Sequence, residues 1–211
     1  MGSVTRSARS QSRAEKRDEM SRRLLEAFEE HLATASFTEV SVDRLVSQAG
    51  VSRSAFYLHF ADKVDLLRML YSGVVVELIE SAETWWSLPP EATKAEILEG
   101  FDILLETYRR HERVMRAVAE VASYDQDMRE QFDAMMGQAV QRVAQHIVLG
   151  QRSGAVRDGL DPEPVAACLT WMTERVLLQV LGTADRDEAQ RHLVAMVDVY
   201  WHTLYGARAS G

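Results

Sequence analysis

Residues 41–59, SVDRLVSQAGVSRSAFYLH, constrain the fold more than any other part of this chain. Val42, Leu45, Val46 and Ala49 recur at helical spacing, Gly50 stops that helix, and a second short helix is predicted from Arg53 to about His59, with Ser52 as its cap. Two short helices joined at one glycine can bend steeply, because glycine enters backbone conformations that other residues avoid. Ala49 is small enough for the crossing point, and Val51 closes a small core beside it. These are the requirements of a helix-turn-helix, whose second helix lies in the major groove of DNA with its N-terminal residues at the base edges.

The second helix divides into two sets of side chains. Ala55, Phe56, Leu58 and Phe60 are expected to pack, while Arg53, Ser54, Tyr57 and His59 can face outward. Arg53 is the candidate base reader, since a guanidinium can pair bidentately with guanine. Ser54, Tyr57 and His59 suit phosphate or mixed contacts, and Ser41 and Ser52 can offer hydroxyls or helix-terminal amides to phosphate. Lys63 is the expected phosphate-directed lysine. Taken singly, Tyr57 could be a partly buried core aromatic and His59 an ordinary solvated histidine.

The rest of the chain repeats the helical pattern. Apolar periodicity predicts a helix from about Glu15 to Ala35, and a long one from Lys63 toward Trp86, capped by Asp62 and stopped by Pro89-Pro90. Others cover Ala92 to about Arg110, His111 to Ser123, and Asp125 to about Leu149. Two more run from Asp161-Pro162 to about Leu181 and from about Asp185 to Tyr205, closed by Gly182 and Gly206. No stretch alternates as a strand does, so an all-α fold of roughly nine helices is predicted. Residues 1–14 lack apolar periodicity and read as a disordered basic tail. The domains are then 15–62, a helix-turn-helix DNA-binding module of three helices, and 63–211, a larger domain of six.

The net charge of −8 is unevenly placed. Residues 1–68 hold eleven basic and ten acidic side chains, and residues 1–23 alone hold seven and three. The acid is in the larger domain, which leaves a basic N-terminal segment that either follows a phosphate backbone or is simply solvated. The single Cys168 excludes an intramolecular disulfide and a Cys-rich zinc site. Neither an 18-residue apolar run nor a secretory signal is present, so a cytoplasmic protein with no membrane partner is expected.

The segment SVDRLVSQAGVSRSAFYLHFADKVDLLRML resembles the DNA-binding region of the TetR family of bacterial transcriptional regulators, over about residues 20–70. The resemblance implies a DNA-binding module joined through a long fourth helix to a ligand-responsive, dimerising helical domain. It makes Arg53 to His59 the recognition helix, with Ser54 and Tyr57 on its DNA side and Lys63 a phosphate contact. The segments LLETYRRHERVMRAVAEVA, LTWMTERVLLQVLG and VDVYWHTLYG are similar, more weakly, to an actinobacterial branch of that family that binds apolar ligands in a long tunnel. That likeness implies tunnel residues at Thr170, Thr173 and Tyr200. The chain departs from the branch there, with threonines in place of amide side chains and Tyr200 in place of a tryptophan.

Read from the residues, Phe101, Leu105 and Tyr108 can share a helical face, and Thr170 and Thr173 can set hydroxyls in an otherwise apolar pocket. Nine methionines favour an adaptable cavity, with Met115 and Met136 as candidate walls. Trp171 and Glu174 complete the candidates, although such stripes also serve as plain core and Glu174 can equally pair with Arg175. Trp85 and Trp86 read as a packed helix end. Val176, Leu177, Val180 and Leu181, with Leu193, Val194, Val197 and Trp201, offer apolar surface for a homodimer through the last two helices, although some belong to the internal core.

The expected function is a repressor that a small apolar effector releases from a roughly palindromic double-stranded operator. Activation through the same architecture is the alternative. The sequence carries no His-Glu-x-x-His spacing and no phosphate-binding glycine loop, so neither an enzyme nor a cofactor or metal site is expected. A purely structural helical module is the other rival.

Overall fold

The computed structural model describes the backbone of residues 3–206 and the side chains of residues 15–206. Among the described residues the helices are α1 (Ser3–Leu32), α2 (Val42–Ala49), α3 (Arg53–His59), α4 (Lys63–Trp86), α5 (Lys94–Arg110), α6 (Glu112–Val121), α7 (Gln126–Ser153), α8 (Pro162–Val176) and α9 (Arg186–Tyr205). A single 3₁₀ turn, Phe37–Glu39, follows α1. The fold is all-α, with a small N-terminal helix bundle and a larger C-terminal one. No described helix is long and apolar enough to cross a membrane.

The first helix begins well before Glu15, and the expected disordered tail of residues 1–14 gives way to helical backbone from Ser3 onward. Residues 3–14 contain neither Pro nor Gly and include three Arg, two Ala and one Gln, all good helix formers, so the helix can extend without an apolar face to bury.

The N-terminal bundle packs on Leu24, Phe28, Leu45, Phe56, Phe60, Leu66 and Leu67, all essentially inaccessible to solvent. Ser41 caps α2 by accepting from the Arg44 N–H (3.3 Å), and Ser52 caps α3 by accepting from the Ala55 N–H (3.1 Å). Gly50 supplies the bend at φ 63°, ψ 37°, and its N–H donates to carbonyls of the last turn of α2. A Cβ there would meet only the movable guanidinium of Arg23, so it is the left-handed backbone that favours glycine.

Helix α4 couples the two bundles. Its 24 residues span about 36 Å at 1.5 Å each, from the Asp62 cap, which accepts from Val64 and Asp65 N–H groups, to Trp86. Leu66 and Leu67 belong to the first core, while Leu78, Ala82 and Trp85 line the interior of the second. Helix α6 packs against both α1 and α4. At that junction His111 lies with Nε2 3.0 Å from Glu77 of α4 and Nδ1 3.9 Å from Glu29 of α1.

Helix α5 starts at Lys94 because Thr93 and Glu96 form a capping box, a signal that the apolar periodicity alone does not carry. Gly100 of α5 sits against α4, where a Cβ would lie 2.5 Å from Trp85 Cβ and 3.1 Å from its Cα. Gly100→Ala is therefore expected to destabilise the protein by about 1–3 kcal/mol despite the better helix propensity of alanine, because backbone cannot yield as a side chain does. Urea unfolding checks this; a variant at or above wild-type stability contradicts so tight an approach.

The predicted helix to Leu181 changes character at Leu177, where five residues widen into a π-helical turn, Leu177–Leu181. The Gly182 N–H reaches back to the Leu177 carbonyl (2.9 Å), and Arg109 of α5 donates to the carbonyls of Leu181 and Ala184 (3.1 and 2.9 Å). A Cβ at Gly182 would crowd Glu112 and Tyr108. The dimer expectation changes as well: Leu177, Leu181, Leu193, Val197 and Trp201 are buried within the chain. All five belong to the hydrophobic core, which leaves less apolar surface for a partner.

Candidate functional site

Two separate regions carry chemistry. The first is the outer face of α3. Arg53, Ser54 and Tyr57 are exposed, His59 is half-buried, and Phe56 anchors the helix from below with its ring 5.5 Å from that of Phe60 and edge-on to Tyr57 at 5.2 Å. Arg53 donates to Asp43 of α2 (2.8 Å) while its guanidinium lies 5.7 Å above the Tyr57 ring. The pair is solvent-exposed and adds little stability, so the guanidinium is available for exchange onto another acceptor.

Leu58 was expected to pack and is instead 79% exposed. It stands two residues from Phe56, about 200° around the helix, and cannot share that buried face. Lys63, expected to reach phosphate, is turned inward. Its ammonium donates to the carbonyls of Phe37 (2.7 Å), Thr38 (3.2 Å) and Val40 (2.9 Å) and lies 4.5 Å over the Phe37 ring. With three acceptors for three N–H donors, Lys63 ties the 3₁₀ turn to α4 and has no proton left for DNA in this arrangement. Burial accordingly holds its pKa below the usual lysine value.

The second region is a cavity of about 90 Å³ lined by residues of α4, α5, α6, α7, α8 and α9. Of the residues expected there, Phe101, Tyr108, Met115, Met136, Thr170, Thr173, Glu174 and Tyr200 line it. Leu105 and Trp171 do not. Phe101, Leu104 and Tyr108 form the inward stripe of α5, one step round from Leu105, which is buried elsewhere. On α8 the inward stripe is Thr170, Thr173, Glu174 and Leu177, spaced i, i+3, i+4, i+7; Trp171 is 42% exposed and meets Phe132 at 6.1 Å. Trp85 and Trp86 line the cavity as well as ending α4. Trp85 stacks on Phe101 (4.9 Å) and meets Tyr200 edge-on (5.5 Å), an aromatic cluster joining α4, α5 and α9 that no single segment reveals.

The polar groups of the cavity are few and unequal. Thr173 Oγ1 donates to the Leu169 carbonyl (3.0 Å), so at 2.9 Å from it the Tyr200 hydroxyl must be the donor of their shared bond. Thr170 Oγ1, Tyr108 Oη, Trp86 Nε1 and Glu174 Oε2 are buried with no hydrogen-bond partner. Such groups are costly in a finished core, at about 1–3 kcal/mol each, and are expected where a ligand completes them. Burial raises the pKa values of Glu174, Tyr108 and Tyr200. Among the described residues no group of His, Cys, Asp and Glu could hold a metal ion.

The comparisons with known proteins bear on both regions. Residues 24–70 match the family described as bacterial regulatory proteins, tetR family, and residues 97–206 match the C-terminal domain of the transcriptional regulator EthR. The chain belongs to the TetR family of bacterial transcriptional regulators. Over 186 residues this TetR-family chain is 27% identical to the HTH-type transcriptional regulator EthR of Mycolicibacterium smegmatis, covering 85% of this chain and 83% of the relative. It is 25% identical over 185 residues to EthR of Mycobacterium tuberculosis, with 87% and 86% covered. Among solved structures, a transcriptional regulator from Saccharomonospora viridis, crystallised with choline, shares the fold with a TM-score of 0.68 at 22% identity, covering 89% of this chain and 98% of that one. This TetR-family protein is thus a ligand-responsive, DNA-binding transcriptional regulator.

Proposed function

We propose that the chain acts as a repressor: a homodimer sets two α3 helices in major grooves of a roughly palindromic operator, and a small, largely apolar molecule in the α4–α9 cavity releases it. The observation that carries this reading is the position of α6. Met115 of α6 lines the cavity, while the same helix packs on α1 of the DNA-binding bundle. At about 90 Å³ the cavity is smaller than the roughly 300–1,000 Å³ of common ligand pockets, so a ligand must part its walls. Displacing Met115 moves α6 against α1 and α4, and the two recognition helices of the dimer leave the spacing of about 34–36 Å that successive major grooves demand.

The dimer is assigned to the outer face of α8 and α9, where Pro164, Val165, Cys168, Met172, Val199 and Thr203 line a shallow groove. On the DNA side Arg53 leaves Asp43 for guanine, Ser54, Tyr57 and His59 serve phosphate or mixed contacts, and the capping Ser41 and Ser52 present helix-terminal amides to phosphate.

The test is Arg53→Ala against an operator selected from a random duplex library. Discrimination between selected and scrambled duplex is expected to fall by about 1–3 kcal/mol, roughly fivefold to 150-fold, with little change on scrambled DNA. Equal losses on both duplexes contradict base reading by Arg53.

A further inference from the structure

Among the described residues that line the cavity, Glu174 is the one with a formal charge, and none is basic. Its side chain is 12% exposed, and its nearest cation, Arg175, stands 3.8 Å from Oε2, beyond hydrogen-bond distance, with most of its own surface in solvent. One turn earlier on the same helix, Thr170 Oγ1 is buried and unpartnered, as is Tyr108 Oη on the facing α5. Around these three oxygens the remaining wall is aromatic and apolar, with Trp85, Trp86, Phe101 and Tyr200 among its rings.

We propose that the effector is an apolar molecule with a protonated amine head, seated against the Glu174 carboxylate with its remaining N–H donors toward Thr170 Oγ1 and Tyr108 Oη. This rests on the reading of the cavity as the effector site and deepens it by assigning the charge of the ligand. An ammonium matches the site in three ways: it neutralises a buried carboxylate, it donates to hydroxyl oxygens that lack donors, and it is attracted by the faces of the surrounding rings. A carboxylate or phosphate head would meet uncompensated like charge in a medium of low dielectric constant. A neutral alcohol would fill the apolar part and leave the carboxylate with only the solvent-facing Arg175 near it. Burial holds the Glu174 carboxyl above its ordinary range, and a cation in contact with it would oppose that shift.

The experiment is calorimetric titration of the full chain at neutral pH with octylamine, octan-1-ol and octanoate, which share one tail and differ in the head. Octylamine is expected to bind at least about tenfold more tightly than octan-1-ol, with octanoate weakest, as a charge-assisted pair requires. In Glu174→Gln the amine should lose its advantage over octan-1-ol, and an unchanged far-ultraviolet circular dichroism spectrum shows that the variant is folded. An amine that binds no more tightly than the alcohol in the wild type overturns the proposal, as does a preference that survives Glu174→Gln. In both cases alcohol binding leaves the effector cavity standing. Failure of all three probes to bind overturns the cavity reading together with the charge assignment.

Discussion

Phe56→Ala is expected to abolish DNA binding by unfolding the N-terminal bundle while the C-terminal bundle remains folded. Phe56 is wholly buried on the inner face of α3, between Tyr57 and Phe60 and within a core drawn from α1, α2 and α4. Truncating a buried phenylalanine costs about 3–5 kcal/mol, the lost transfer energy plus the cavity left behind. A bundle of three helices and one end of α4 has little stability to set against such a loss, because whole domains are stable by only about 5–15 kcal/mol. Unfolding followed by far-ultraviolet circular dichroism should show an early partial transition, and a labelled duplex should show no specific binding. A variant that retains operator affinity and a single unchanged transition contradicts the assignment of Phe56 as the anchor of the recognition helix.

Trp85→Ala should have an effect of similar size in the other bundle. The indole is buried, stacks on Phe101 at 4.9 Å, meets Tyr200 at 5.5 Å and His146 at 5.8 Å, and covers the close approach of Gly100. Loss of about 3–5 kcal/mol is expected, again as transfer plus cavity energy. Unlike Phe56, Trp85 borders a pre-existing void, so part of the loss should be recovered by ligands that fill the enlarged space. The unfolding midpoint should therefore drop sharply without ligand and rise more than in the wild type when a bulkier apolar compound is added. A midpoint within a degree of the wild type contradicts the role of the aromatic cluster in joining α4, α5 and α9.

The recognition module was legible in the sequence because its signals are local. Gly50 between two apolar-faced helices and the serine caps at Ser41 and Ser52 lie within a few residues of what they determine, and each takes the expected position. Errors arose where a side chain's fate depends on an element distant in sequence. Lys63 looks like a free cation at a helix start, but its partners are carbonyls more than twenty residues earlier, in a 3₁₀ turn that apolar periodicity does not reveal. Leu58 is a different case: helical phase alone places it opposite Phe56, and its apolar character misleads.

The cavity was partly legible for the same reason. Thr170, Thr173 and Glu174 share a helical face by spacing, while the inclusion of Trp85 and Trp86 requires knowing that α4 ends beside α5, α7 and α9. Leu105 and Trp171 are apolar neighbours of true lining residues, one helical step out of phase. The dimer surface was the least legible. The same apolar residues can serve an internal core or a partner, and Leu193, Val197 and Trp201 serve the core.

Coupling between the cavity and α3 can be read from the fluorescence anisotropy of the selected operator, titrated with the full chain in the absence and presence of a saturating cavity ligand. Specific binding is expected that saturates at an even number of chains per duplex and is weakened by the ligand about tenfold or more, with the ligand's own affinity reduced by the same factor when operator is bound. A ligand that occupies the cavity and leaves operator affinity unchanged would contradict that coupling.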